Sequence, residues 1–186
     1  MAHVLDEKKQ LLVAAEKFKD QLSKIKVLAF DIDGILTNGA MTYLNDEIGF
    51  NRTYHILDGY GMKMMKDLGF KVGVISGADG IPVRKRFQDI LKCDFVFLGN
   101  EDKREAYKNV LKMGYKDEEI LYMGDEFIDV AILKRVGFAA TVPNSSVEIQ
   151  EVAHYVTKRE GGNGAAREVM DMVRYAQNLK APILEF

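Results

Sequence analysis

Asp31 and Asp33 stand two residues apart at the end of an apolar run, Val27-Leu28-Ala29-Phe30, and Gly34 follows at once. In an extended segment, side chains two apart project to the same face, so both carboxylates share one side of a strand end. Like charges held that close need a cation or a proton between them. Hard carboxylate oxygens suit Mg²⁺. With such a cation in place, one carboxylate can attack an electrophile while the other moves a proton. An Asp-x-Asp-Gly sequence also serves as a plain acidic turn or as part of a calcium loop. The pair therefore takes its meaning from what the rest of the chain brings to it.

The elements that must position it follow an alternating pattern. A strand over 26–31 precedes a Tyr- and Thr-containing stretch, 40–54, broken at Asn45-Asp46-Glu47-Ile48-Gly49, which predicts a β-hairpin. A helix over about 58–68 leads to a strand at 71–76, then a helix at 81–91 with Pro82 in its first turn. A strand at 93–97, a helix at 102–113 closed by Gly114, a strand at 120–124 and a helix at 126–136 closed by Gly137 continue the series. Short strands near 138–142 and 154–157 flank a brief helix, and a last helix spans about 164–179. Ahead of all this, Leu11, Ala15, Phe18, Leu22 and Ile25 recur at helical spacing, an amphipathic helix over 6–24. Strands alternating with helices predict an α/β fold, a Rossmann-like parallel sheet with helices on both faces and an inserted hairpin. No repeat, low-complexity tract or linker divides residues 1–186, so one domain is expected.

Composition narrows the function. The 26 Lys and Arg against 28 Asp and Glu give a net charge of −2, which argues against broad binding to nucleic acid or to an anionic membrane. The single cysteine, Cys93, has no partner for an internal disulfide and suits a reducing compartment. The charged start, Asp6-Glu7-Lys8-Lys9, does not resemble a signal peptide, and no apolar run is long enough to span a membrane. A cytoplasmic location is expected.

Ligands bind such sheets at the carboxyl ends of the strands, and each principal strand here ends in a polar group. The first delivers Asp31 and Asp33; the second delivers Ser76-Gly77; the third leads to Lys103; the fourth delivers Gly124-Asp125, with Asp129 one helical turn on. Singly, each has a plain reading. Ser-Gly is a common turn, Lys103 lies in a charged helix start, and Asp125 could cap its helix. Together they place acids, a hydroxyl and an ammonium at one sheet edge.

This order resembles the haloacid dehalogenase superfamily of phosphotransferases, through Asp31 to Thr37, Ser76, Lys103, and Gly124-Asp125 with Asp129, over about residues 26–142. The resemblance implies that Asp31 attacks phosphorus to form a phosphoaspartyl enzyme. Asp33 would protonate the leaving alcohol and then activate water. Mg²⁺ would be held by Asp31, the backbone carbonyl of Asp33 and Asp125, with Asp129 behind them. Ser76 and Lys103 would hold the phosphoryl oxygens. Only a hairpin and a helix fit between Thr37 and Ser76, so no cap domain is expected.

Asp58-Gly59-Tyr60-Gly61-Met62 and Gly161-Gly162-Asn163-Gly164-Ala165-Ala166-Arg167-Glu168 extend the resemblance to the 3-deoxy-D-manno-octulosonate (KDO) 8-phosphate phosphatases, over about 24–179. That branch implies a small phosphorylated sugar acid as substrate, a role in cell-surface polysaccharide synthesis, and a homotetramer. The hairpins would form a central barrel, and a C-terminal flap, 161–186, would reach a neighbouring site. Substrate contacts are implied at Gly34, Gly77, Arg84 and Asn163. The chain departs from the branch in lacking an Arg after Ser76-Gly77, where Arg84 or Arg86 could substitute. It also carries Glu126 after Asp125, and Asn163 where Arg is frequent. These departures leave a nonulosonic acid 9-phosphate or another small phosphate ester as alternative substrates. The other classes weighed are a phospho-receiver and a binding-only oligomer. A receiver places its acids on different strands, whereas Asp31 and Asp33 share one.

Overall fold

The computed structural model describes residues 2–183. In chain order the elements are α1 (Ala2–Lys17), α2 (Lys19–Leu22), β1 (Val27–Phe30), β2 (Thr42–Asn45), β3 (Gly49–Asn51), α3 (Ile56–Asp67), β4 (Lys71–Ile75), α4 (Ile81–Arg84) and β5 (Phe95–Phe97). They continue with α5 (Arg104–Leu111), β6 (Ile120–Met123), α6 (Val130–Leu133), β7 (Phe138–Thr141), α7 (Val147–Val152), β8 (Tyr155–Val156) and α8 (Ala165–Ala176). Six strands form a parallel sheet in the order β5-β4-β1-β6-β7-β8, with β1 at its centre between β4 and β6. β2 and β3 make a separate antiparallel hairpin.

Alternation along the strands feeds two cores. Leu28 and Phe30 of β1, with Val72, Val74, Leu121 and Met123, join one core under α1, α3 and α8. Val27 and Ala29, with Ile75, Ile120 and Tyr122, join the other under α5, α6 and α7. Strands buried on both faces read as continuous apolar runs, which is why VLAF and ILYM carry no period-two pattern.

Several boundaries differ from the sequence reading. The amphipathic stretch breaks at Phe18, whose backbone leaves the helical region (φ −108°, ψ 19°) so that its ring can lie edge-on to Phe138 at 5.3 Å. The helix after Pro82 widens into a π-helical turn over Lys85–Ile90. The span 126–136 divides into a tight 3₁₀ turn, Phe127–Asp129, followed by α6, because Asp129 turns inward to the sheet. α1 packs against α8 of its own chain.

The two segments that extended the resemblance meet in space. Asp58 on α3 is buried, and its carboxylate accepts the N–H groups of Gly164 at 3.3 Å and Arg167 at 2.8 Å, so it caps α8 from another helix. The glycine run before α8 lies against the loop after β1. Gly162 donates its N–H to Ile35 O at 2.9 Å, and a Cβ on Gly161 would fall 1.7 Å from Gly34 O. Only residues without side chains permit that approach, and it places 161–164 as a buttress of the β1 loop within the same chain.

Candidate active site

Asp31 extends β1 by one residue, donating its N–H to Met123 O at 2.9 Å, and the residue is 5 % exposed. Its Oδ2 pairs with Lys103 Nζ at 2.8 Å, and the buried Ser76 at the end of β4 lines the same cavity. Lys103 begins α5 and reaches inward until it is 1 % exposed. It also donates to Asp129 Oδ1 at 2.6 Å. Asp129 is fully buried and takes three further donors: Tyr122 Oη at 2.5 Å on Oδ1, and the N–H groups of Asp125 and Glu126, each at 3.1 Å, on Oδ2. Burial and the surrounding carboxylates hold the Tyr122 hydroxyl protonated, well above its ordinary range.

One ligand oxygen from each of Asp31, Asp125 and Asp129 lies within 4.8 Å of the others. Asp125 Oδ1 is buried and has no hydrogen-bond partner among the described residues. Gly34, at φ +86°, leaves the space that this carboxylate occupies, since a Cβ there would fall 1.9 Å from Asp125 Oδ2. An orphaned carboxylate oxygen facing other acids in a glycine-walled cradle fits a hard divalent cation.

The electrostatics agree. Burial, then the charge of Asp129, push Asp31 up from 3.8 to about 6, against the pull of Lys103 and Ser76. Burial, then Asp31 and Asp129, push Asp125 from 3.8 to about 7. Both groups hold protons more tightly folded than unfolded. Without a cation, the stability they contribute is full below about pH 4 and is lost as pH rises through about 6 to 7. A cation relieves that repulsion, so the rise in Tm on adding Mg²⁺ should be several degrees at pH 8 and small at pH 5, with each kcal/mol worth roughly 2–4 °C. Thermal melts with and without Mg²⁺ at the two pH values check this; equal increments would contradict it.

Asp33 lies at the mouth. Both its oxygens are held by Arg52, Nε to Oδ1 at 2.6 Å and Nη2 to Oδ2 at 2.8 Å, and the Arg52 side chain is 6 % exposed. The sequence reading missed Arg52. It follows β3 in a stretch read only as hairpin, and no spacing ties it to a carboxylate nineteen residues earlier. Tyr122 was likewise read as part of an apolar strand, although it is the one residue of ILYM with a side-chain donor.

An open cavity of about 380 Å³ sits over these groups, lined among others by Asp31, Asp33, Gly34, Ser76, Gly77 and Asp125. Arg84 and Asn163 are not brought to it. Arg84 is exposed, pairs with Asp79 at 2.6 Å, and lines a neighbouring hollow behind Ser76. Asn163 is exposed on the glycine run. Arg86 stacks its guanidinium over Tyr54 at 4.7 Å. Among the described residues, the side-chain cations that contact Asp31 or Asp33 are Lys103 and Arg52.

Comparison with known proteins identifies the family. Residues 92–169 match the model of the haloacid dehalogenase-like hydrolases. The KDO 8-phosphate phosphatase of Haemophilus influenzae is 33 % identical over 86 % of this chain and 88 % of its own length. The chain belongs to the KDO 8-phosphate phosphatase family of haloacid dehalogenase-like hydrolases. The family's members are phosphoric monoester hydrolases, and the chain shares their fold. The Moraxella catarrhalis phosphatase, crystallised with magnesium, phosphate and KDO, superposes with a TM-score of 0.82 at 31 % identity, covering 87 % of this chain and 92 % of that one. The cobalt-bound Haemophilus influenzae phosphatase gives 0.80 at 31 % identity, over 85 % and 92 %. A Legionella pneumophila hydrolase of subfamily III A gives 0.81 at 31 % identity, over 96 % and 93 %.

Proposed function

We propose that this chain is a Mg²⁺-dependent phosphatase that hydrolyses KDO 8-phosphate to KDO and phosphate. The observation that carries the reading is the buried array in which Lys103 bridges Asp31 and Asp129 beside the orphaned Asp125 carboxylate, under an open cavity with Asp33 at its mouth. Asp31 Oδ attacks phosphorus, and the bond to the ester oxygen breaks. Asp33 delivers a proton to that oxygen, then takes one from the water that releases phosphate from the aspartyl group. Ser76 and Lys103 hold the phosphoryl oxygens. Asp31, Asp125 and the Asp33 carbonyl would hold Mg²⁺, which supplies positive charge against the phosphoryl group when bound.

Arg52 supports a substrate that is itself an acid. Asp33 cannot reach a leaving oxygen while both its own oxygens are clamped, and a substrate carboxylate arriving at the mouth competes for the guanidinium and releases it. The same logic admits a nonulosonic acid 9-phosphate as the second substrate reading.

The mechanism predicts a stalled variant. Asp33→Asn should release one equivalent of nitrophenolate from p-nitrophenyl phosphate, whose leaving group needs no proton, and then turn over about 10²–10⁴-fold more slowly than wild type. Rapid-quench kinetics with mass spectrometry would find the phosphoryl group on Asp31. Undiminished steady turnover would remove Asp33 from its role.

The proposed assembly is a homotetramer joined through the hairpin. A two-stranded hairpin is marginal on its own, and this one exposes Met41, Tyr43, Leu44, Ile48 and Phe50. An apolar arm of that kind calls for a cover. Sedimentation showing a fully active monomer would overturn it. The reading places the enzyme in the cytoplasm, supplying sugar acid for cell-surface polysaccharide. The lone Cys93 suits a reducing compartment, and among the described residues no helix is long and apolar enough to cross a membrane.

A further inference from the structure

Asp129 has four donors, and the hydroxyl of Tyr122 is the one whose purpose the proposed chemistry leaves unexplained. Tyr122 lies fully buried on β6, and its Oη donates to Asp129 Oδ1 at 2.5 Å, the same oxygen that accepts Lys103 Nζ at 2.6 Å. The ammonium is 3.4 Å from the hydroxyl itself. On its other side it serves Asp31 at 2.8 Å. Lys103 is therefore divided between two carboxylates. When a phosphoryl group reaches Asp31, its oxygens compete for the three N–H bonds that now face Asp31, Asp129 and the Tyr122 hydroxyl oxygen. Asp129 has no solvent to fall back on. Its other oxygen meanwhile ties down the N–H groups of Asp125 and Glu126, the turn that carries the orphaned Asp125 carboxylate.

We propose that Tyr122 is a positioning residue for the phosphatase reaction: by satisfying Asp129 it frees Lys103 to face the phosphoryl oxygens and keeps the Asp125 turn in place. The inference rests on the phosphatase reading above. The hydroxyl acts on the reacting atoms only through Asp129 and Lys103, and the ring belongs to the core beneath the sheet.

The test is Tyr122→Phe in the full chain, assayed beside wild type for phosphate release from KDO 8-phosphate and p-nitrophenyl phosphate. Removing one hydrogen bond to a charged group should lower kcat about tenfold or more on both esters. KM should stay within about twofold, and the Mg²⁺ concentration for half-maximal rate should rise several-fold. A purely structural role would lower the fraction of folded enzyme without that metal shift. The Tyr122→Phe/Asp129→Asn double variant should be no slower than Asp129→Asn alone, because both changes break one chain of contacts. Should Tyr122→Phe fail to fold, the double variant still decides, since a neutral amide in place of the Asp129 carboxylate leaves no buried charge short of donors. Tyr122→Phe turning over within about twofold of an active wild type overturns the role. So does a double variant that loses the two factors multiplied. A wild type inactive on both esters removes the phosphatase reading and this inference with it.

Discussion

Asp31→Asn should lower phosphate release by at least about 10⁴-fold, the scale on which enzymes lose activity when their nucleophile is removed. The substitution is nearly isosteric, so the loss is chemical. An amide is a poor nucleophile, and its oxygen would turn to the ammonium that now sits 2.8 Å from Asp31 Oδ2. The fold should survive and gain slightly. Burial and the Asp129 charge already hold Asp31 up at about 6, so replacing it with a neutral group removes a repelling charge from beside Asp125 and Asp129. The expected signature is an inactive protein whose metal-free Tm at pH 8 is equal to or above that of wild type. Retained turnover would exclude Asp31 as nucleophile. Lost turnover with a collapsed Tm would mean that the carboxylate is chiefly structural.

Lys103→Met should damage both activity and stability, and in a pH-dependent way. Lys103 is 1 % exposed and bridges Asp31 and Asp129 at 2.8 and 2.6 Å, so removing the ammonium leaves two buried carboxylates without their shared counter-charge. Breaking a buried ion pair from one side costs about 3–5 kcal/mol, a fall of roughly 10 °C in a chain of this size. The deficit should be greatest in metal-free protein at pH 8 and shrink toward pH 5. Asp31 and Asp125, already raised to about 6 and about 7, take up protons over that interval and shed the repulsion. Turnover should fall on the order of 10²–10³-fold, as for loss of one preorganised donor to a developing charge. Differential scanning calorimetry at the two pH values and steady-state kinetics measure the two effects. Wild-type melting at pH 8 would contradict the placement of Lys103 between the acids.

What could be read from the sequence follows the physics of the sheet. Asp31 and Ser76 follow directly, and Asp125 after one glycine, on apolar runs buried on both faces, and strand ends of that kind announce where side chains converge. Lys103 and Asp129 were legible through their distance from those ends, though not their burial. A lysine among Glu101, Asp102, Arg104 and Glu105 looks solvated, and only tertiary contact turns it inward. Arg52 was illegible because its partner Asp33 lies across the hairpin, a long-range pairing without sequence periodicity. Arg84 lies away from the cavity for a local reason: Asp79, five residues earlier, pairs with it. The inward turn at Asp129 overrides helical spacing because it buries a side chain that a regular helix would leave outside.

The most direct test of the account is the rate of phosphate release from KDO 8-phosphate, with and without Mg²⁺, beside p-nitrophenyl phosphate under the same conditions. The account predicts turnover that disappears on chelation and a kcat/KM for KDO 8-phosphate at least about 10²-fold above that for the aryl ester, the margin expected when Arg52 and the cavity contact the sugar acid as well as the phosphate. Metal-dependent cleavage of the aryl ester with no preference for KDO 8-phosphate would contradict the substrate, and turnover that persists without the metal would contradict the site.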